Sequence, residues 1–208
     1  MSELNITNED NMALMARYPD NYFDLAIVDP PYGIIESGGQ KGGISKKFKN
    51  RAYKNGIIDK WDIKPNQSYF NELFRVSKNQ IIWGGNYFDL PPTRCVIFWD
   101  KVQPFDTYSK GELAWTSFSS PANLFKFDNR TGGKIHPTQK PVALYNWLLA
   151  KYAKEGDKIL DTHLGSGSIA LACYDYGFDL TACELDKEYF DKAMERITNH
   201  TNQQKLFL

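Results

Sequence analysis

The sequence predicts a single α/β domain over residues 1–208, with a mostly parallel β-sheet covered by helices on both faces. Apolar runs of strand length alternate along the chain with segments whose apolar residues recur at helical spacing. Two of the runs end in turns rich in proline or glycine, at the edge where α/β sheets bind ligands. The length is enough for one substantial core and short of two full-sized domains.

The first part of the chain predicts a short helix, a buried strand and a longer helix. Asn8 is placed to cap the short helix, which contains Met12 and ends before Pro19. Residues 24–28 form an apolar run typical of a buried strand, and apolar residues recur at helical spacing from 68 to 76. Further strands are predicted at 80–83, 95–99 and 113–118. The last of these alternates loosely, which indicates an edge or antiparallel strand.

The last third of the chain gives the clearest alternation of helices and strands. Pro141 opens a helix that runs to Ala153. A strand at 158–161, a glycine-rich loop and a helix ending near Gly177 follow. A strand at 180–184 then leads into a final helix, from Asp186 to about Asn199.

Composition excludes several classes of protein. Twenty-five basic residues cancel twenty-five acidic ones, so any nucleic-acid surface must be local. The first residues lack the pattern of a secretory signal, and no apolar stretch reaches the ~18 residues of a membrane-spanning helix. Cys95, Cys173 and Cys183 are scattered, as are the histidines, which predicts buried, reduced thiols in a cytoplasmic protein with no metal site.

The glycine-rich loop between the strand at 158–161 and the next helix predicts a nucleotide-like ligand. Gly165 and Gly167 allow a tight turn and close approach of a ligand, and Glu184 ends the following strand, where it can bind ribose hydroxyls. The spacing alone also fits a dinucleotide oxidoreductase. Asp161 would repel a pyrophosphate but suits the positively charged methionine half of S-adenosylmethionine, so the charge favours that cofactor.

The Asp29-Pro30-Pro31-Tyr32 segment follows the buried strand at 24–28 and predicts a catalytic loop. The prolines fix the backbone and remove two donors, so the Asp29 carboxylate and the Pro30 carbonyl form a rigid pair of acceptors. Acceptors for both hydrogens of an aromatic amine favour a pyramidal nitrogen, which can attack a methyl group by direct displacement. Asp29 would stabilise the developing positive charge, and Tyr32 would stack on a base extruded from the duplex.

Taken together, these segments resemble the amino-methylating DNA methyltransferases of the permuted β-type order. Residues 29–32 look like the family's catalytic motif, and 136–141 are similar to the signature before its first cofactor-binding helix. Residues 161–167 resemble the cofactor loop, and Glu184 matches the ribose-binding acid. The segments 60–62 and 83–88 are similar to ones common in phage-borne members.

The resemblance implies a Rossmann-like, S-adenosylmethionine-dependent methyltransferase fold, with a seven-stranded, mostly parallel sheet and one antiparallel strand. It implies catalytic roles for Asp29, Pro30, Pro31 and Tyr32. The residues that it assigns to the cofactor are Asp29, His136, Thr138, Lys140, Asp161, His163, Gly165, Ser166, Gly167 and Glu184. His163 stands where many members carry phenylalanine; we expect it to pack beside the cofactor and assign it no proton-transfer role.

An aspartate at the first catalytic position leans, within the family, towards N6 of adenine in DNA. Methylation of N4 of cytosine or of an RNA base remain alternatives, as does a non-catalytic, S-adenosylmethionine-binding regulator. The intact motifs argue against the regulator.

Double-stranded DNA is the expected partner. Residues 33–60 predict a flexible basic loop that contacts phosphates, and 119–135 form a reduced target-recognition segment. The residues expected to contact DNA are Lys41, Lys46, Lys47, Lys49, Arg51, Lys54, Lys126 and Arg130. A homodimer is a further expectation, because so short a chain has little surface for gripping a duplex.

Overall fold

The computed structural model describes residues 2–33, 63–104, 109–128 and 139–203. Its strands are β1 (Leu4–Thr7), β2 (Phe23–Val28), β3 (Ser77–Trp83), β4 (Val96–Asp100), β5 (Gly111–Thr116), β6 (Asn123–Lys126), β7 (Lys158–Asp161) and β8 (Asp179–Cys183). Its α-helices are α1 (Asn11–Met15), α2 (Gln67–Val76), α3 (Val142–Tyr152), α4 (Ser168–Tyr176) and α5 (Lys187–Thr201). A 3₁₀ turn spans Gly85–Tyr87.

The strands form one eight-stranded sheet in the order β1-β8-β7-β2-β3-β5-β4-β6. All pairings are parallel except those of β5 with β3 and with β4, so β5 is the one antiparallel strand of the described sheet. The mostly parallel α/β sheet with one antiparallel strand is thereby confirmed, including the antiparallel strand at 113–118. The predicted number of seven strands is wrong by one.

Two edge strands, β1 and β6, are absent from the strands that the apolar pattern predicts. Both have only four residues, and neither contains a fully buried residue. β6 lies within the segment 119–135 that the sequence assigns to target recognition, and it pairs in parallel with β4. Because edge strands are only partly buried, their sequences carry a weak apolar signal.

The two faces of the sheet are covered by different helices. α3, α4 and α5 pack on one face with Leu25 and Ile27 of β2, whereas α1 and α2 pack on the other with Ala26 and Val28. Burial on both faces explains why residues 25–28 of β2 are all apolar. None of the helices in the described ranges is long and apolar enough to cross a membrane.

The boundary between β7 and β2 is the topological switch point of the sheet. From β7 the chain passes through α4 to β8 on one side, and from β2 it continues to α2 and β3 on the other. Ligands bind at the carboxyl ends of strands at such a point. The loops after β2 and β7, which carry the two predicted motifs, therefore lie side by side.

One predicted cap is wrong. Asp10, not Asn8, caps α1, because its side chain accepts hydrogen bonds from the N–H groups of Met12 and Ala13 at 2.9 and 3.1 Å. Asn8 instead donates from Nδ2 to the Glu184 carbonyl at 2.7 Å. The other predicted helices and strands are found with ends shifted by at most three residues. The three cysteines are buried and free of disulfides, as predicted.

Candidate active site

Asp29 lies directly beyond β2, and two side chains hold its carboxylate. The Tyr32 hydroxyl donates to Oδ1 at 2.7 Å, and the Lys140 ammonium forms an ion pair with Oδ2. Each carboxylate oxygen has two acceptor positions, so Asp29 can still accept a hydrogen bond from a substrate amine.

The Tyr32 ring is fixed by neighbours from the segment after β3. It stacks on Tyr87 with 4.9 Å between centroids and 17° between planes, and Phe88 meets its edge at 6.2 Å. Gly84 has φ 69°, and a Cβ there would lie 2.2 Å from Tyr32 Cε1. Burial, together with the charges of Asp29 and Glu112, raises the pKa of Tyr32 well above its usual value. Tyr32 is therefore a neutral phenol that donates to Asp29.

Asp161 ends β7 as a carboxylate that is only 2% exposed. Its Oδ1 accepts the His163 N–H at 2.9 Å. Burial, followed by the nearby charges of Asp29 and Glu184, raises the pKa of Asp161 to about 8. No described residue forms an ion pair with Asp161, so a cationic group of a ligand would find an uncompensated acceptor here.

Glu184 follows β8 and is tied to the glycine-rich loop. Its Oε2 accepts the Gly165 N–H at 2.8 Å and its Oε1 accepts the Asp186 N–H at 3.0 Å. Gly165 and Gly167 have φ of 55° and 73°, in the left-handed region that favours glycine. The arrangement holds the Glu184 carboxylate beside the loop that follows Asp161.

The remaining part of the loop is anchored to α5. Ser166 is buried, and its carbonyl accepts a hydrogen bond from Arg196 at 2.8 Å. Arg196 also donates to the Ser168 hydroxyl at 3.0 Å, at the first turn of α4. These bonds fix the backbone on which the glycines sit.

His163 joins the loop to α1 and α2. Its Nε2 lies 3.1 Å from Asn11 Nδ2, an amide nitrogen that can only donate, so Nε2 accepts and Nδ1 carries the proton. Nδ1 then donates to Thr162 Oγ1 at 2.9 Å, and Thr162 bonds Tyr69 at 2.6 Å. Burial lowers the pKa of His163 to about 3, so the ring is neutral. His163 thus packs between the loop and the two helices, and its expected place beside the cofactor stays a prediction.

Sequence reasoning misses three residues at this edge: Glu112, Gly84 and Tyr87. Glu112 contacts Lys140 at 3.1 Å and also pairs with Lys101. Nothing in the sequence marks Glu112, whereas Gly84 and Tyr87 belong to the segment 83–88 that resembles other family members. The adjacent glycines of that segment are the available signal, because close contact with a ring is one reason for glycine.

The structure brings together Asp29, Tyr32, Lys140, Asp161 and the 163–167 loop. The sequence places Lys140 at the cofactor; in the structure its ammonium binds Asp29. Lys126 lies on β6 at the far edge of the sheet, away from these residues. The following residues lie outside the described ranges, so their roles stay predictions: Lys41, Lys46, Lys47, Lys49, Arg51, Lys54, Arg130, His136 and Thr138.

Known proteins resemble the chain in sequence and in fold. Residues 115–195 match the DNA methylase family of N6 and N4 methyltransferases. The chain is 24% identical to the type II methyltransferase M2.DpnII of Streptococcus pneumoniae, over 95% of this chain and 91% of that protein. It is 33% identical over 88 residues to M.HpaI of Haemophilus parainfluenzae, which covers 40% of this chain and 28% of M.HpaI.

Two solved structures have a similar fold over nearly the whole chain. The M1.HpyAVI–SAM complex has a TM-score of 0.59 and 17% identity, and covers 93% of this chain and 99% of that one. The cytosine-N4-specific PvuII DNA methyltransferase has a TM-score of 0.61 and 15% identity, and the match covers 97% of this chain and 92% of that one.

The fold is that of the S-adenosylmethionine-dependent methyltransferases, as predicted. The match of residues 115–195 to the N6/N4 DNA methylase family and the similarity to type II methyltransferases confirm the resemblance seen in the sequence.

Proposed function

We propose that this protein transfers a methyl group from S-adenosylmethionine to N6 of adenine in double-stranded DNA. The observation that carries the proposal is that two carboxylates in different environments, Asp29 and Asp161, lie at the switch point of the sheet. Asp161, buried and without an ion pair among the described residues, suits a cationic cofactor. Asp29, beside a neutral tyrosine, suits an amine.

The residues after β7 and β8 fit S-adenosylmethionine. Asp161 would meet the positively charged methionine portion, and Glu184, which the Gly165 and Asp186 N–H groups hold in place, retains acceptor positions for ribose hydroxyls. The left-handed glycines remove side chains from the loop on which the cofactor would lie. When bound, the cofactor supplies a methyl group on positively charged sulfur.

Asp29 and Pro30 would receive the target amine. Their carboxylate and carbonyl oxygens accept its two hydrogens and direct the nitrogen lone pair outward. Positive charge develops on the nitrogen as it is methylated, and a preorganised carboxylate stabilises that charge more than the neutral amine. The base has to leave the duplex to reach Asp29, and stacking on Tyr32 offsets part of that cost.

Adenine is favoured by Asp29 at the first catalytic position, as the resemblance implies. The second candidate is N4 of cytosine, because the cytosine-N4-specific PvuII enzyme has a similar fold. Both reactions use the same acceptors, so the product decides between them. A regulator that binds the cofactor without catalysis would not need Asp29 and Tyr32 in bonding contact.

The test is methyl transfer from labelled S-adenosylmethionine to unmethylated double-stranded DNA, followed by nucleoside analysis. We expect label in N6-methyladenine that is lost in Asp29→Ala. Asp20→Ala is the matched control, because Asp20 is an exposed carboxylate that pairs with Arg75. Label in N4-methylcytosine would overturn the base assignment, and no label on DNA would overturn the proposed activity and direct the assay to RNA.

A further inference from the structure

Lys140 is a buried cation held between two carboxylates at the proposed transfer site. Its side chain is 2% exposed, and its ammonium contacts Asp29 Oδ2 on one side and Glu112 Oε2, at 3.1 Å, on the other. The Trp83 ring lies 5.2 Å from the same nitrogen. A buried ammonium is costly unless anions surround it, so both carboxylates contribute to keeping Lys140 charged and in place.

Glu112 reaches this site because β5 runs against its neighbours. In the register of the sheet, Glu112 pairs with Trp99, near the end of β4, and Ala114 pairs with Trp83, the last residue of β3. The beginning of β5 therefore lies where the parallel strands end. A parallel strand would deliver its final residues to this edge and its first residues to the opposite one.

We propose that Glu112 is a positioning residue of the methyl-transfer site: it holds Lys140 from the side opposite Asp29 and so fixes the carboxylate that receives the amine. The inference rests on the proposed function. It also concerns charge. The two carboxylates Asp29 and Glu112 balance the two ammonium groups Lys140 and Lys101, whereas without Glu112 the cluster would carry one net positive charge. Positive charge developing on the amine is therefore stabilised better when Glu112 is present and ionised.

Lys101 completes the arrangement from the side of β4. Its ammonium binds Glu112 Oε1, the oxygen that does not contact Lys140. Burial acts to raise the pKa of Glu112, but Lys140 and Lys101 hold it down at about 2, so Glu112 is ionised. Burial acts to lower the pKa of Lys140, yet Asp29 and Glu112 keep it above its ordinary value.

Removing the Glu112 charge should change how the rate of methyl transfer depends on pH, because it lowers the pKa of Lys140. Among the described residues, the charged groups that face Lys140 are Asp29 beyond β2, Glu112 on β5 with Lys101 bound to its other oxygen and, at longer range, Asp161 on β7; the Tyr32 phenol is neutral. Without Glu112, burial is opposed chiefly by Asp29, so Lys140 loses its proton at a lower pH. The alkaline limb of the rate profile should then move to lower pH, which a purely structural role would not produce.

The experiment compares Glu112→Gln with Glu72→Gln in the full-length protein at saturating S-adenosylmethionine. Glu72 is the matched control, since both carboxylates are 22% exposed and ion-paired, but Glu72 pairs with Arg75 on α2. We expect Glu112→Gln to lower kcat roughly ten- to a hundred-fold without changing cofactor affinity. The alkaline limb of the pH–rate profile of Glu112→Gln should move to lower pH, and the kcat and pH profile of Glu72→Gln should equal those of the wild type.

Wild-type kcat and pH profile in Glu112→Gln would overturn the inference and leave the proposed function intact. Equal losses of kcat and of cofactor affinity would also overturn it, because they would show general disruption. If Glu112→Gln unfolds, Glu112→Asp decides: a lower kcat with unchanged cofactor affinity supports the inference, and wild-type kcat contradicts it. An inactive wild-type protein would instead overturn the proposed function.

Discussion

At the scale of single residues, two aspartates at the site differ in burial and in ion pairing, and these differences suit them to different groups of a ligand. Asp161 is 2% exposed and lacks an ion pair among the described residues, whereas Asp29 is held by Lys140 and Tyr32. The same side chain therefore stands uncompensated at the end of β7 and paired at the end of β2. A cation is favoured beside the first, and a neutral amine that becomes positive is favoured beside the second.

The raised pKa of Asp161 predicts that cofactor affinity depends on pH. Burial first, and the charges of Asp29 and Glu184 next, place this pKa at about 8, so the group is mostly protonated at pH 6. Only the ionised form attracts a cation, so affinity for S-adenosylmethionine should rise between about pH 6 and 7.5, where an α-amino group keeps its proton, by up to about tenfold per unit. Isothermal titration calorimetry at several pH values measures this affinity.

Asp161→Asn is the variant that isolates this effect. It keeps the size of the side chain and removes the titration, so its affinity should be weak and independent of pH over the same range. A rise in affinity that persists unchanged in Asp161→Asn would contradict the assignment of Asp161 to the cofactor.

At the scale of elements, the turn after β3 fixes the ring of Tyr32. Gly84 leaves room for Tyr32, and Tyr87, 40% exposed on the 3₁₀ turn, stacks on the same ring. The site is thus assembled from the ends of β2, β3 and β7 and the beginning of β5, elements that are distant in sequence.

Gly84→Ala should displace Tyr32 and lower the rate of methyl transfer. An alanine at positive φ costs about 1–2 kcal/mol, and its Cβ would also lie 2.2 Å from Tyr32 Cε1. Gly156→Ala is the control, because Gly156 has φ 86° and a Cβ added there would have no neighbour within 4 Å among the described residues. Thermal melting and kcat should separate them: both variants lose stability, but only Gly84→Ala loses rate. Wild-type kcat in a folded Gly84→Ala would contradict the role of this turn.

At the scale of the whole molecule, the sequence predicts what local pattern and burial determine. Residues 25–28 are buried on both faces of the sheet, and the glycines at 165 and 167 adopt positive φ, so both segments carry strong signals. β6 carries only a weak sequence signal, because it is an edge strand on which Leu124 is 53% exposed. The Glu112–Lys140 contact depends on the direction of β5 and on its register with β4, which no local pattern contains.

The role that we propose for Asp29 is to stabilise the charge that develops on the amine during transfer. Its most direct test is the single-turnover rate of methyl transfer to DNA in Asp29→Asn, at saturating S-adenosylmethionine. Because Asn keeps the shape but not the charge, the rate should fall by roughly a hundred-fold or more, while the cofactor still binds. A single-turnover rate equal to that of the wild type would contradict this role of Asp29.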